Sequence, residues 1–377
     1  MTHDTEIRPY RVDIPQVDLD DLADRLDRVR WTSTVPGADA EYGVSLERLQ
    51  RLVAHWRDGY DWRAWEARLN SFPQFTTAID GENIHFIHVR SPEAGALPLL
   101  LTHGWPGTVA EFLDVIGPLS DPRAHGGDPA AAFHVVVPSL PGMGFSGPTT
   151  SRGWGTRRTA AAWVELMGRL GYGERYGVGG NDAGSMINPE IGRLDPEHVV
   201  GAHVTQLFSF PTGDPAEFEG MTSEEMAALG VLQDFWENKG SFNMVHSQQP
   251  QTLAHAISDS PVGLLGWNTQ LFGENLDDDF VLTNVAIAWF TGTAGSAIRF
   301  YREDSLDTDR PKEPTTVPIG LSSAARGDFL SIRRFAERDH ADIRSWRVNE
   351  EVDGHYAART NPDVITRDLR DFFALVR

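Results

Sequence analysis

The chain contains no cysteine, and this absence excludes disulfide bonds, thiolate metal sites and a cysteine nucleophile. It leaves the redox compartment open. Long apolar runs are missing too, since no stretch approaches the ~18 consecutive apolar residues of a membrane-spanning helix. The polar start, from Met1 to Pro9, has no apolar signal core. We therefore expect no membrane partner and a cytoplasmic location.

Basic residues are scarce relative to acidic ones: 33 Lys and Arg against 54 Asp and Glu give a net charge of −21. So acidic a chain is a poor partner for a phosphate backbone, and we expect no nucleic-acid binding. Of the 377 residues, 40% are hydrophobic, which is enough for a large core. This composition predicts a soluble protein with one large domain and an appendage.

Residues 1–95 form a predicted N-terminal extension. Leu and Trp side chains recur at helical spacing in three segments, at 19–31, 46–56 and 61–70. Two strand-like segments, 74–80 and 83–89, then flank a turn at Gly81, which predicts a β-hairpin. The extension is therefore expected to combine helices with one hairpin.

Strands and helices alternate between residues 96 and 205, which predicts an α/β core with a mostly parallel sheet and right-handed crossovers. The predicted strands are 99–102, 133–137, the segment before Gly180, and 199–205; the predicted helices are 109–119 and 157–170. Strand patterns return at 315–321 and 345–349, and a helix at 362–376 completes the core over residues 302–377.

Residues 206–301 interrupt this alternation with helical patterns and few strand signals. The patterns cover 223–238, 252–258, 264–272 and a long segment from 280 to 301. An all-helical insertion in an α/β chain predicts a cap over the carboxyl edge of the sheet.

The candidate nucleophile is Asp182, within Gly180-x-Asp182-x-Gly184. This spacing is typical of a nucleophile elbow, a strand-to-helix turn so sharp that only small neighbours fit. Ser usually occupies the centre, whereas an Asp carboxylate is ionised at neutral pH without a helping base. Its attack on a saturated carbon gives an ester that water activated by a His can hydrolyse. The alternative is an ordinary surface turn, because Asn, Asp and Gly all favour turns.

An elbow nucleophile in this architecture requires an acid and then a His, in that chain order. Asp328 follows the predicted strand at 315–321 and offers the carboxylate; a solvated helix cap is the alternative, and the residue alone favours it. His355 follows a glycine turn just before the final helix, which is where the base belongs, and His340 is the second choice. The backbone N–H groups of Trp105 and Ala183 are the predicted oxyanion donors.

We expect no cofactor and no metal. Gly142-x-Gly144-x-x-Gly147 has the spacing of a dinucleotide fingerprint, but Pro148 and a polar loop follow it instead of a helix.

The chain resembles the α/β-hydrolase-fold epoxide hydrolases, in particular the microsomal-type branch with an N-terminal extension and its bacterial members. Matching pieces cover nearly the whole chain. They are His-Gly-Trp-Pro-Gly at 103–107, Gly-Met-Gly-Phe-Ser at 142–146, Gly-Gly-Asn-Asp-Ala-Gly-Ser at 179–185, Asp-Ser-Pro-Val-Gly at 259–263, Leu-Thr-Asn at 282–284, Arg-Phe-Tyr at 299–301, Val-Pro-x-Gly at 317–320 and Gly-His-Tyr-Ala-Ala at 354–358.

This resemblance implies a cofactor-independent hydrolase that converts an epoxide to a vicinal diol, often as a homodimer. Asp182 resembles the nucleophile, His355 the base and Asp328 its acid partner, although the spacing from the strand to Asp328 is longer than in the family pattern. Such enzymes place two cap tyrosines over the epoxide oxygen. Tyr301 matches one, but the other position falls on Phe242, which cannot donate a hydrogen bond.

The substrate-binding candidates are Trp236, Phe242 and Asn243, of which Trp236 and Asn243 carry donors that could replace the missing tyrosine. The cap is rich in aromatic residues, which suggests a bulky apolar or aryl epoxide: Phe235, Trp236, Phe242, Trp267, Phe272, Trp289 and Phe290. Some bacterial enzymes of this kind act in natural-product pathways such as those of enediyne antibiotics, and we extend that expectation to this chain by analogy.

Two alternatives stay open at this point. A haloalkane dehalogenase shares the Asp–His–acid chemistry but often carries an indole directly after the nucleophile, where this chain has Ala183. A catalytically silent protein could also use the cap cavity to hold an apolar ligand. A serine esterase based on Ser185 fits the elbow spacing poorly.

Overall fold

A central β-sheet organises the fold. In this computed structural model the described residues are 5–309, 311–327 and 329–377, without the side chains of residues 39, 40 and 353. They form a nine-stranded sheet. Its strands are β1 (Arg8–Tyr10), β2 (Gln74–Ile79), β3 (Glu82–Val89), β4 (Leu97–Thr102), β5 (Phe133–Pro138), β6 (Tyr176–Gly180), β7 (Val199–Val204), β8 (Ile319–Arg326) and β9 (Ile343–Asp353).

The spatial order of the strands is β1-β2-β3-β5-β4-β6-β7-β8-β9. The first three strands and β5 pair antiparallel, whereas every pairing from β5 through β4 to β9 is parallel. The mostly parallel sheet predicted from the alternating pattern is therefore confirmed. Because β4 and β6 are central and buried on both faces, their sequences are continuous apolar or glycine runs.

The N-terminal extension has three helices, α1 (Gln16–Asp27), α2 (Leu46–Asp58) and α3 (Trp62–Leu69). The hairpin predicted after them is confirmed, with β2 and β3 paired antiparallel. Its turn places Asp80 and Gly81 at φ 48° and 83°, the positive values that a tight hairpin turn requires. The short strand β1 was not predicted, because three residues are too few to show a period.

Six further helices flank the sheet. They are α4 (Leu113–Ser120), α5 (Thr156–Arg169), α6 (Ala183–Leu194), α14 (Arg333–Asp339), α15 (Ala357–Thr360) and α16 (Pro362–Val376). Helix α16 has the bounds that the sequence predicted. Its residues Leu369, Phe372 and Phe373 are buried, and Phe372 and Phe373 pack where the glycines of the central strands leave room.

The cap consists of helices between β7 and β8. They are α7 (Ser223–Asn238), α8 (Ser241–Gln248), α9 (Pro250–Asp259), α10 (Pro261–Thr269), α11 (Asp278–Phe290), α12 (Ala294–Ala297) and α13 (Arg299–Leu306). The predicted bounds of α7 are confirmed, whereas α8 was missed because it is only eight residues long.

The prediction of one long helix over 280–301 is wrong. Helix α11 ends at Phe290, and Gly292 at φ 65° turns the chain before α12. Among the described residues no single helix is long and apolar enough to cross a membrane. The segments Asp278–Phe290 and Ala294–Leu306 reach that length only together, and they meet at a bend of 100°. The proposed domain boundaries at 95, 205 and 301 stay predictions, and α13 runs across the last of them.

Parallel pairing brings the carboxyl ends of β4, β6, β8 and β9 to one edge of the sheet. The loop 103–107 follows β4, Asp182 follows β6, and His355 follows β9. Residues that are far apart in sequence therefore meet beneath the cap.

Candidate active site

The turn after β6 is so tight that, at its glycine positions, any side chain larger than that of glycine would clash with neighbouring atoms. A Cβ on Gly180 would lie 2.3 Å from the Thr102 carbonyl oxygen, and a Cβ on Gly184 would lie 2.0 Å from the same atom. A Cβ on Gly104 would lie 2.0 Å from Oδ1 of Asp182. The Gly-x-Asp-x-Gly spacing therefore belongs to an elbow pressed against the end of β4, and the surface-turn alternative is wrong.

Asp182 stands at the tip of this elbow in a strained backbone conformation, with φ 52° and ψ −117°. Its Oδ1 accepts a hydrogen bond from the backbone N–H of Trp105 at 3.0 Å. Its own backbone N–H donates to Oε1 of Gln206 at 3.3 Å. The side chain remains 20% exposed, so one face of the carboxylate is open.

The loop that carries Trp105 is held from within by His103. The backbone N–H of Leu140 donates to Nε2 of this imidazole at 3.2 Å, so the proton must lie on Nδ1, which is 3.0 Å from the Gly104 carbonyl. Burial lowers the pKa of His103 to about 4, and the ring is therefore neutral at pH 7. The Gly104 carbonyl and the Trp105 N–H belong to the same planar peptide unit, so the hydrogen bond from His103 also fixes the direction of the Trp105 N–H.

His355 lies opposite the nucleophile. Its Nε2 is 3.8 Å from Oδ2 of Asp182, and the Gln206 side-chain amide lies 3.4 Å from its Nδ1. The predicted acid, Asp328, lies outside the described residues. The structure therefore brings together two of the three predicted groups, and Asp328 stays a prediction.

Other predicted or alternative groups take clear positions. Ala183 lines the cavity directly after the nucleophile. Ser185 is buried, and its Oγ donates to the Gly180 carbonyl at 3.3 Å, away from any substrate. His340, the second choice for the base, shares a hydrogen bond of 2.8 Å with Thr315 instead of approaching Asp182.

The cap contributes one phenol and one phenyl ring above the nucleophile. Tyr301 of α13 and Phe242 of α8 have ring centroids 5.9 Å apart at 90°, and both contact the Trp105 indole. Burial, and after it the charge of Asp182, raises the pKa of Tyr301 well above its ordinary value. The phenol therefore keeps its proton and can donate it. No described residue accepts a hydrogen bond from this hydroxyl.

A cavity of about 610 Å³ lies between the cap and the sheet edge and includes Asp182, His355 and Tyr301 in its wall. The predicted substrate-binding residues Trp236, Phe242 and Asn243 all line it. Further aromatic walls come from the β7 exit and the segment after β8, as Phe208, Phe210 and Phe329. This volume and apolar lining are typical of a small-molecule site.

Four of the cap aromatic residues that suggested an aryl substrate do not line this cavity. Helical periodicity alone cannot tell which side of a cap helix faces the cavity and which faces a neighbouring helix. Trp267 donates to His246, Phe272 stacks on Tyr356, Trp289 lies under Arg25, and Phe290 contacts Trp62.

Sequence inspection missed a buried polar network beneath the nucleophile. Asn181 donates from Nδ2 to Oε1 of Glu111 at 2.9 Å and to the His355 carbonyl at 3.0 Å, and its Oδ1 accepts from the Thr205 hydroxyl at 2.7 Å. One signal was available: Glu111 is a carboxyl with apolar residues on both sides in the segment 109–113, which follows the loop 103–107. Within the described ranges no three His, Asp or Glu side chains form a metal-binding group.

Comparison with known proteins identifies the family. The family model described as epoxide hydrolase N terminus matches residues 7–112, and the alpha/beta hydrolase fold model matches residues 98–217. The chain is 38% identical to a Stigmatella aurantiaca protein named as a candidate epoxide hydrolase, over 98% of this chain and 86% of that protein. The chain belongs to the epoxide hydrolase family.

Other members of the epoxide hydrolase family agree with this assignment. Epoxide hydrolase 1 of Oryctolagus cuniculus is 30% identical over 99% of this chain and 90% of its own length. The solved Aspergillus niger epoxide hydrolase superposes with a TM-score of 0.88 at 29% identity, over 100% of this chain and 98% of that one. The Bombyx mori juvenile hormone epoxide hydrolase, at 23% identity and a TM-score of 0.89 over 100% and 96%, shows the same fold. The predicted α/β-hydrolase fold and epoxide hydrolase family are confirmed, which favours epoxide opening over halide displacement.

Proposed function

We propose that this epoxide hydrolase acts through a covalent ester on Asp182 and converts a bulky apolar or aryl epoxide to a vicinal diol. The main support for this proposal is the position of the two carboxylate oxygens of Asp182. Oδ1 of Asp182 is held by the Trp105 N–H, whereas Oδ2 lies 3.8 Å from Nε2 of His355 in the wall of the cavity. The two carboxylate oxygens thus have different surroundings, as a nucleophile and an oxyanion require.

In the first step Oδ2 of Asp182 attacks one ring carbon. A carbon–oxygen bond to Oδ2 forms, the bond between that carbon and the epoxide oxygen breaks, and Tyr301 donates its proton to the departing oxygen. The raised pKa of Tyr301 keeps the proton available for this transfer. Oδ1 becomes the carbonyl oxygen of the ester and stays beside the Trp105 N–H.

In the second step His355 takes a proton from water while the oxygen of that water attacks the ester carbon. The tetrahedral oxyanion forms on Oδ1, where the Trp105 and Ala183 N–H groups would stabilise it. Collapse breaks the bond between the carboxyl carbon and Oδ2, and the protonated His355 protonates the leaving diol. The new carboxylic acid returns a proton to the Tyr301 phenolate, so one water is consumed for each diol. Asp328 is the proposed partner that orients His355.

The shape and lining of the cavity support the substrate class. About 610 Å³ is room for a ligand of drug-like size, and the walls at Phe208, Phe235, Trp236 and Phe242 are flat apolar faces. Such faces favour an aryl or similarly bulky apolar group attached to the epoxide. A role in natural-product biosynthesis, a homodimer and a cytoplasmic location stay predictions.

Turnover in ¹⁸O-labelled water tests the covalent ester. Water attacks the ester carbon, so repeated cycles place the label in the Asp182 carboxylate, which peptide mass spectrometry detects. His355→Gln should accumulate an enzyme adduct heavier by one substrate, because ring attack does not need the base. An unlabelled Asp182 carboxylate, together with no adduct on the His355→Gln variant, would refute the ester.

The matched control is His340→Gln, which removes a partly buried imidazole outside the cavity. It should turn over substrate without accumulating an adduct. Adduct formation in this control would show that loss of an imidazole elsewhere in the fold is enough to block hydrolysis, and would contradict the role given to His355.

A further inference from the structure

Glu111 is a buried carboxyl that the proposed reaction does not use. It lies in a short 3₁₀ turn, Val109–Phe112, and is 1% exposed. Its Oε1 accepts one hydrogen bond from Asn181, while Oε2 has no hydrogen-bond partner among the described residues. No described Arg, Lys or His forms an ion pair with it. An ionised carboxylate in such surroundings would be strongly destabilised.

The proton on this carboxyl can be assigned from its neighbours. The His355 carbonyl can only accept, so the Asn181 edge facing it is the NH₂ group. The second hydrogen of the same NH₂ points to Oε1 of Glu111. Oε1 is therefore an acceptor, and a proton on Glu111 lies on Oε2.

Glu111 also packs under the loop that carries the oxyanion donor. Its Oε2 lies 3.4 Å from the position that a Cβ on Gly107 would take, and the Tyr356 ring lies 3.1 Å from that position. Through Asn181 the carboxyl is tied to the backbone of His355 and to Thr205 after β7. Glu111 thus connects, directly or through Asn181, segments that follow β4, β6, β7 and β9 around the nucleophile.

We propose that Glu111 is a positioning residue for ester hydrolysis, acting in its protonated form through Asn181 to hold the His355 backbone against the nucleophile elbow. This inference rests on the covalent mechanism proposed above. Ionisation would place a second negative charge beside Asp182. At the Asp182 carboxyl the resting state and the tetrahedral intermediate carry a negative charge, whereas the ester group carries none, so a charge on Glu111 favours the ester and slows its breakdown.

The surroundings of Glu111 support the protonated form at neutral pH. The pKa of Glu111 is raised to about 8, mainly by burial; the Asn181 hydrogen bond opposes this rise, and the Asp182 charge adds to it. Tyr356 faces it as well, and burial raises the pKa of that phenol well above its ordinary value.

The described charged groups on the neighbouring helices form ion pairs with other residues and not with Glu111. Asp114 of α4 and Asp277 before α11 both pair with Arg359 of α15, at 2.5 and 2.8 Å. Asp279 of α11 pairs with His55 at 2.6 Å, and Asp278 pairs with Arg51. None of these described ion pairs includes Glu111, which lies near the nucleophile and is expected to ionise between pH 7 and 9.

The experiment compares Glu111→Gln and Glu111→Ala with the parent enzyme from pH 6 to 10, using styrene oxide. Ester formation and ester hydrolysis are measured separately by rapid mixing and by mass spectrometry of the adduct. With a pKa near 8, the protonated fraction and the hydrolysis rate of the parent should fall about tenfold between pH 7 and 9 while adduct accumulates.

Glu111→Gln keeps the Asn181 acceptor but cannot ionise, so its hydrolysis rate should stay level to pH 9. Glu111→Ala removes both the contact and the ionisable group, so at pH 7 it should slow hydrolysis by about tenfold or more, with no further decline to pH 9, while ester formation changes little. The matched control is Glu82→Gln, a buried carboxyl that accepts hydrogen bonds from Thr150 and Ser151 away from the cavity. It should keep the alkaline decline of the parent.

The inference is overturned if Glu111→Gln keeps the alkaline decline, or if Glu111→Ala slows both half-reactions equally. Should Glu111→Ala fail to fold, the pH profile of Glu111→Gln alone decides. Failure of the covalent mechanism is visible separately, because the His355→Gln variant would then carry no adduct on Asp182. An adduct on that variant combined with an unchanged Glu111→Gln profile refutes only the role of Glu111.

Discussion

Removing the hydroxyl of Tyr301 should separate catalysis from stability. The Tyr301→Phe ring keeps its contacts with Trp105, Phe242 and His246, whose centroids lie 6.1, 5.9 and 4.9 Å away. Since no described residue accepts a hydrogen bond from the hydroxyl, its loss should change the free energy of unfolding by less than about 1 kcal/mol. Any large effect on the rate must then come from the interaction with substrate.

The expected kinetic loss is large because Phe242 offers no second phenol. Removing one preorganised donor to a developing oxyanion typically costs about 10²–10³ in rate, or about 3–4 kcal/mol of activation free energy. We therefore expect the rate of ester formation to fall by that factor while ester hydrolysis is nearly unchanged. Rapid mixing with an aryl epoxide measures the first rate, and urea unfolding measures the stability.

The double variant Tyr301→Phe/Phe242→Tyr moves the phenol to the facing wall and is the matched control. It should recover part of the lost rate, because Phe242 lines the same cavity and its ring lies 5.7 Å from that of Trp105. The assignment of Tyr301 as the proton donor is wrong if the folded Tyr301→Phe variant forms the ester at a rate within about threefold of the parent rate.

Two further predictions concern the fold. Gly184→Ala should lower the free energy of unfolding by about 1–3 kcal/mol, because its Cβ would lie 2.0 Å from the Thr102 carbonyl oxygen. Gly230→Ala on α7 has open space around the new Cβ and should raise the free energy of unfolding by about 0.4–1 kcal/mol. Equal urea midpoints for the two variants would contradict the elbow packing. Burial lowers the pKa of His85 to about 3 and the pKa values of His103 and His203 to about 4, so each is neutral in the folded chain and protonates near pH 6.5 only after unfolding. Their contribution is complete above pH 6.5 and decreases as the pH falls towards 4, by about 2 kcal/mol for each at pH 5, and a urea midpoint that is as high at pH 5 as at pH 7 would exclude it.

Local patterns were enough to predict much of the fold and part of the site. The hairpin at Gly81, helix α7 and helix α16 follow from turn chemistry and periodicity, which depend on neighbours in sequence. Patterns failed at the aromatic residues that face neighbouring helices, where the deciding contact is distant, and at the break after Phe290, where Gly292 turns the chain inside an apolar helical pattern. Asp328 lies outside the described residues and remains a prediction.

The sequence by itself determined the order of the chemical groups: a carboxylate between glycines, then a His before the last helix, under a cap with one phenol. Only the tertiary structure decided their geometry, because parallel strands β4, β6 and β9 bring Trp105, Asp182 and His355 to one edge. It also decided that Glu111 and Asn181 meet beneath the nucleophile. Such a buried polar contact joins residues about 70 positions apart, and no local periodicity records it.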